Sequence, residues 1–295
     1  MTQDQRAIGF GLGAVALWST VATAFKIALG QMTPLELIWL AVLVSWALMG
    51  ALVIRQGEFA QALRRGWRTA LWAGLMNPVG YYLVLFAAYD RLPGQEAMAL
   101  NYTWALAMAF LAVPILGQRL TLIDILAGLI AYAGVWTIAT RGAVFDVAFA
   151  DPLGVAFALV STLLWALYWL FNTRDSRPAL IAQWQNFSVG LPVLTLMLLL
   201  GPGFQWHGPL ALGAGIYVGL FEMGIAFILW QLAVRGVSRT AKVSNLIFLS
   251  PPVSLLLLHF VIGEPILPST LIGLMLILGG LGLQQRQKAP ASAKA

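Results

Sequence analysis

Few residues in this chain can do chemistry. Cysteine is absent and histidine occurs twice, as His207 and His259. That excludes disulfides, thiolate metal sites and iron–sulfur clusters and leaves too few imidazoles for most metal centres, so neither metal nor cofactor is expected. One acid, Glu222, stands in the middle of an otherwise uncharged apolar stretch. An isolated ionised acid in hydrocarbon costs at least ~2.5–3.5 kcal/mol, so Glu222 must face protein or water, or carry a proton. Three roles are open to it: coupling to protons, pairing with a ligand's ammonium, or resting as a neutral acid hydrogen-bonded to a neighbouring helix.

Amides and aromatic rings recur at helical spacing. Asn77 and Tyr81 are four apart, Asn101 and Trp104 three apart, and Trp165, Tyr168 and Trp169 form a further stripe. With Trp18, Ser244 and Asn245 they make the candidate substrate-contacting set. An aromatic face that also carries amides suits a small zwitterion with an apolar side chain, through stacking and hydrogen bonds. The competing reading is packing or an interfacial belt, which fits Trp169 near a span end best. An enzyme is not expected. Intramembrane proteases need a paired nucleophile and histidine or two membrane aspartates, and Asp90 sits alone at a span end.

These residues must be positioned by membrane helices. The chain has 295 residues, 60% hydrophobic and only 9% charged, with a mean hydropathy of +0.85. Soluble domains carry roughly 25% charged residues. The net charge of +6 does not indicate a nucleic-acid binder, because the basic residues occupy short gaps between long apolar runs. About 20 apolar residues cross a bilayer core. The charge-free intervals predict ten spans, at about 7–28, 34–54, 68–89, 95–116 and 122–140, then 152–172, 179–200, 209–233, 239–261 and 267–285. Residues 289–295 read as a disordered tail.

Lys and Arg set the orientation. With the N-terminus inside, only Lys26, Arg91 and Arg141 fall outside, and the remaining 14 of 17 basic residues face the cytoplasm. Both termini are therefore expected in the cytoplasm. The first span, lacking a convincing cleavage site, is expected to stay. No loop is long enough for a soluble catalytic domain, so function must lie among the helices, with the lipid bilayer as partner and no oligomer required.

Residues 1–147 and 148–288 resemble each other at one offset. Leu17-Trp18 matches Leu164-Trp165, Gly117–Thr121 matches Gly263–Leu267, and Asn77 matches Glu222, at shifts of 145 to 147. Five spans per copy invert the second copy, a layout of secondary transporters with the substrate site near the midplane. Pro78, Pro192 and the pair Pro251-Pro252 lie inside spans, where a proline removes a backbone hydrogen bond. Pro78, Pro251 and Pro252 are the candidate hinges.

The chain resembles the drug/metabolite transporter superfamily in its EamA-type ten-helix branch. The resemblance rests on Leu17-Trp18-Ser19-Thr20, the helix-turn-helix units at Gly117–Thr121 and Gly263–Leu267, and Ser250-Pro251-Pro252-Val253. Gln95-Glu96-Ala97 followed by Asn101-Tyr102-Thr103-Trp104 is similar to the fourth helix of YddG-type aromatic amino-acid exporters. That group typically has proline directly after the tryptophan. Ala105 stands there here, so the fourth helix is expected to lack that kink. The resemblance implies export of amino acids, aromatic or other neutral ones, across the inner (plasma) membrane by alternating access. Drugs or other small metabolites are the alternative cargo.

Overall fold

The computed structural model describes residues 2–91, 100–140, 142–145, 151–201, 203–263 and 266–285. Helix starts follow local chemistry. Helix α1 covers Gln3–Leu29. Helix α2, Pro34–Arg55, opens with a reciprocal capping box between Thr33 and Glu36 and with proline in its first turn, where no amide partner is lost. A short α3 (Phe59–Arg64) leads to α4 (Trp67–Gly74) and α5 (Tyr81–Arg91). Helix α6, Trp104–Leu116, ends on Gly117 at φ +66°, a left-handed cap that favours glycine. The first repeat closes with α7, Leu122–Ala139.

The second repeat begins with α8, Pro152–Arg174, whose Asp151 caps the backbone amides of Leu153 and Gly154. It continues with α9 (Ala179–Leu200), α10 (Gly208–Val218), α11 (Ile225–Gly236), α12 (Thr240–Ser244), α13 (Ser250–Leu257) and α14 (Pro268–Gln285). Joined through short irregular turns, these segments make ten helical rods among the described residues, with the six-residue α3 standing apart between the second and third. Six of the rods are long and apolar enough to cross a bilayer. The start of the fourth span, the 289–295 tail, the Gln95-Glu96-Ala97 motif, Arg141, Glu264, Pro265 and the Lys26 side chain lie outside the described residues.

The irregular turns fall at matching places in the two copies. A π-type turn at Leu75–Gly80 joins α4 to α5, and another at Gly219–Gly224 joins α10 to α11. In the first, Asn77 is extended (φ −147°, ψ 120°) and the Asn77–Pro78 peptide is cis. The fourth span also breaks, at Tyr102–Thr103, despite Ala105. There the amide of Ala105 bonds back three residues to Tyr102 at 3.3 Å, and the Thr103 hydroxyl donates to the Leu100 carbonyl at 2.7 Å. The expectation of an uninterrupted fourth helix is thus corrected: hydroxyl competition and a 3₁₀-type bond do the work of the absent proline. Its counterpart in the ninth span is a full 3₁₀ turn, Asn245–Leu249. Pro251 and Pro252 follow in the first turn of α13 and so sit at the junction of the 3₁₀ turn with that helix, both buried.

Packing obeys the same two-fold relation. Helix α1 packs along α11 and α13, and α8 packs along α5 and α6, while α2 meets α9 and α7 meets α14. Asp4 ties the start of α1 to Ser238 and Lys242 at 2.8–2.9 Å. Asp151, 147 positions later, ties the start of α8 to Arg91 at 2.7 Å. The Arg91 guanidinium and the amides of Gly154 and Leu153 hold the Asp151 carboxyl below the usual carboxylate range. Backbone closeness fixes the α7–α14 pair: a Cβ on Gly134 would stand 2.5 Å from the Gly273 carbonyl, and one on Gly280 would stand 2.6 Å from that of Ala127.

The structure places Arg65 against Gln185 near the start of α9, and Gly203 just beyond its end. Cysteines introduced at Arg65 and Gly203 should therefore be labelled by an impermeant maleimide from opposite sides of the membrane. The chain has no cysteine of its own to confuse the result. Labelling from one side would overturn the span count.

Candidate functional site

Four tryptophans from four rods meet in the interior. Trp18 of α1 lies 6.0 Å from Trp165 of α8 and 5.0 Å from Trp230 of α11, and Trp104 of α6 lies 6.1 and 5.6 Å from the same two rings. Tyr81 stands 4.4 Å from Trp165, and Phe227 and Trp169 close the cluster at 5.6 Å each. Most of these pairs are tilted or edge-to-face, which places the positive rim of one ring on the negative face of the next. Trp169 is fully buried. The interfacial reading of Trp169 is therefore corrected: α8 turns it inward onto Phe227.

Glu222 lies in the π-type turn beside this cluster, half-buried. The Tyr82 hydroxyl donates to its Oε1 at 3.0 Å. No second donor to the carboxylate is found among the described residues. A π-type turn also loosens backbone carbonyls, and neighbours take them up. Trp18 Nε1 donates to the Glu222 carbonyl at 3.1 Å, and Ser45 Oγ donates to that of Gly219 at 2.6 Å. Trp18 therefore spends its N–H on holding the break and has only its ring face to offer.

Several buried polar groups have no protein partner. Among them are the indole N–H groups of Trp165, Trp169 and Trp230 and the Asn77 amide, both its Nδ2 donor and its Oδ1 acceptor. Leaving a buried polar group unpaired costs about 1–3 kcal/mol. A ring cluster that keeps several such groups unpaired is suited to receive a polar guest.

The remaining sequence candidates separate. Asn77, being extended, does not share a helical face with Tyr81, so the four-residue spacing argument fails at that pair. Asn101 donates to Ser161 at 3.0 Å, one turn from Trp165 along α8, while Trp104 joins the rings. The Tyr168 hydroxyl donates to Gln183 at 2.6 Å and accepts from Asn186 at 3.2 Å, away from Glu222. Ser244 and Asn245 are buried at the α12 junction, and Ser244 donates back to the Ala241 carbonyl at 3.4 Å. Pro78 packs on α9, where a Cβ at Gly190 would meet its ring at 2.8 Å. Sequence reasoning missed Trp230, Phe227 and Tyr82. Tyr82 directly follows the candidate Tyr81, while Trp230 and Phe227 lie in a run that is apolar all round and carries no signal of its inward face. No group of three or more His, Asp or Glu residues able to hold a metal is present among the described residues.

Comparisons with known proteins agree with this architecture. The model of the EamA-like transporter family matches twice, over residues 5–140 and 152–284. The transporter YvbV of Bacillus subtilis is 23% identical over 94% of this chain and 92% of its own length. The "Probable terminal-alkyne amino-acid exporter" of Streptantibioticus cattleyicolor is 28% identical over 72% of this chain and 71% of its own. A protein of Pseudomonas aeruginosa is 30% identical over 82% and 80%. One solved crystal structure superposes with a TM-score of 0.82 at 23% identity, covering 94% of this chain and 96% of that one. With two matched domains, each holding one broken third span, this chain is a multi-pass membrane transporter and no enzyme: it belongs to the EamA-like transporter family.

Proposed function

We propose that the protein exports neutral amino acids, aromatic ones among them, from the cytoplasm across the inner (plasma) membrane by alternating access. The observation that carries this reading is the Glu222 carboxylate, bonded on one oxygen by Tyr82, in a turn whose backbone is held by Trp18 of a ring cluster that keeps unpartnered indole N–H groups. A substrate ammonium pairs with Glu222 and lies against the rings. The substrate carboxylate takes the indole N–H groups and the Asn77 amide, helped by the N-terminal ends of the half-helices α5 and α11. An apolar side chain fills the space between rings. The amino-acid exporter among the relatives supports the same class of cargo.

The second reading is export of cationic drugs or other metabolites. It is favoured by the absence of any Lys or Arg contact to Glu222 or the ring cluster among the described residues. The test is counterflow in proteoliposomes against labelled phenylalanine, tryptophan, leucine and a quaternary-ammonium drug, with and without a pH gradient. Saturable exchange of the amino acids supports the proposal. Exchange of the cationic drug without the amino acids replaces it by the second reading.

A further inference from the structure

Below the ring cluster, toward the face that carries the N-terminus, lies a second buried layer made almost wholly of polar side chains. Asn172 is 2% exposed, and Gln183 and Gln231 are 0% exposed. Gln183 and Gln231 amides meet at 3.0 Å, and Gln231 and Asn172 amides at 3.2 Å. With its amide turned over, Gln231 also reaches the Ala179 carbonyl at 3.2 Å and accepts from Arg235 at 2.6 Å, so either orientation ties α11 to α9. Arg235 donates to the carbonyl of Asn172 at 2.8 Å and to that of Arg177 at 2.7 Å. Apart from the Gln231–Arg235 contact within α11, every one of these contacts joins α11 to α8, α9 or the turn between them. Tyr168 joins the same layer, donating its hydroxyl to Gln183 at 2.6 Å and accepting at its carbonyl from Asn172 at 2.7 Å.

The repeat relation shows what this layer corresponds to at the other end of the molecule. The shift that carries Trp18 onto Trp165 carries Phe25 onto Asn172, and the shift that carries Asn77 onto Glu222 carries Phe86 onto Gln231. Phe25 and Phe86 touch in turn, edge-to-face, with ring centres 5.8 Å apart. One pair of equivalent positions thus closes α8 against α11 with amides, and the other closes α1 against α5 with rings. The ring cluster and Glu222 lie between the two layers.

We infer that Asn172, Gln231 and Arg235 form the inner gate of the carrier, held by hydrogen bonds, and that Phe25 and Phe86 form the outer gate, held by apolar contact. The two gates differ in what opening exposes. Amides and a guanidinium leaving each other find water as replacement partner. Phenyl rings leaving each other expose apolar surface to water and are driven back together. A carrier so built admits substrate from the polar side readily and recloses its far side after release. The inference rests on the transporter reading, yet its test needs no substrate.

The experiment uses the full chain with single cysteines, labelled by an impermeant maleimide in vesicles of each orientation, alongside thermal melting. Asn172→Cys should be labelled only from the face carrying the N-terminus, despite its burial, and Phe86→Cys only from the opposite face. Adding Gln231→Leu should speed Asn172→Cys labelling about tenfold, with labelling still confined to that face and little change in melting temperature. Arg235→Lys, which loses the two-pronged contact with the Asn172 and Arg177 carbonyls, should act in the same direction and serves if the leucine variant does not fold. Labelling that does not quicken in either variant, or that quickens from both faces in step with a lowered melting temperature, would show a merely structural layer and overturn the inference. A failure of the amino-acid panel leaves this readout intact, so the two proposals fall separately.

Discussion

Glu222→Gln should raise the half-saturating concentration for amino-acid exchange about ten- to a hundredfold while the protein still folds and inserts. The glutamine keeps size and can still accept from Tyr82, so the local bond at 3.0 Å survives. What is lost is the charge that an ammonium would meet. Hydrogen bonds to charged groups are worth about 1.5–3 kcal/mol, which converts to that range of affinity. Liposome exchange at several concentrations measures it directly. Two other outcomes are informative. A variant that exchanges substrate normally but ignores a pH gradient would assign Glu222 to proton coupling. A variant with full, pH-responsive transport would make the acid structural and remove the ammonium contact from the proposal.

Trp165 separates packing from binding through two substitutions. Its ring touches Trp18, Tyr81, Trp104, Trp169 and Phe227, all within 4.4–6.1 Å. Trp165→Ala removes the centre of that cluster and should cost about 3–5 kcal/mol, by analogy with buried tryptophans in soluble cores. It should be seen as a lowered melting temperature in detergent. Trp165→Phe keeps a ring and most of the contacts but deletes the unpartnered indole N–H. That variant should melt within a few degrees of the parent and lose roughly tenfold in substrate affinity, the worth of about 1.5 kcal/mol. Unchanged exchange in the phenylalanine variant would assign Trp165 to packing alone.

How much of the site could be read beforehand depended on helix regularity. Trp18 and Trp165 were legible because the repeat offset singles them out, and Glu222 because a charge in an apolar run is conspicuous. Faces were not legible. A helix that is apolar all round has no amphipathic stripe to say which side turns inward, so Trp230 and Phe227 carried no distinguishing signal. Asn77 misled for a different reason. Its four-residue spacing to Tyr81 presumes α-geometry, and the backbone is extended there. Ala105 misled likewise, since a break can be made by Thr103 and backbone bonding without proline.

Composition, charge spacing and repeat offset by themselves determined that this is an all-helical membrane carrier of two related halves. Those properties are sums over many residues, and no single contact alters them. The tertiary structure alone decided which polar groups are satisfied. Gln231 meets Gln183 across 48 positions of chain, and Tyr82 reaches Glu222 across 140. In a bilayer core without water, each such pairing is settled by which helix lies alongside. The spare N–H groups of the tryptophan cluster, and the contrast between a layer of amides at one end and a ring pair at the other, follow from that packing.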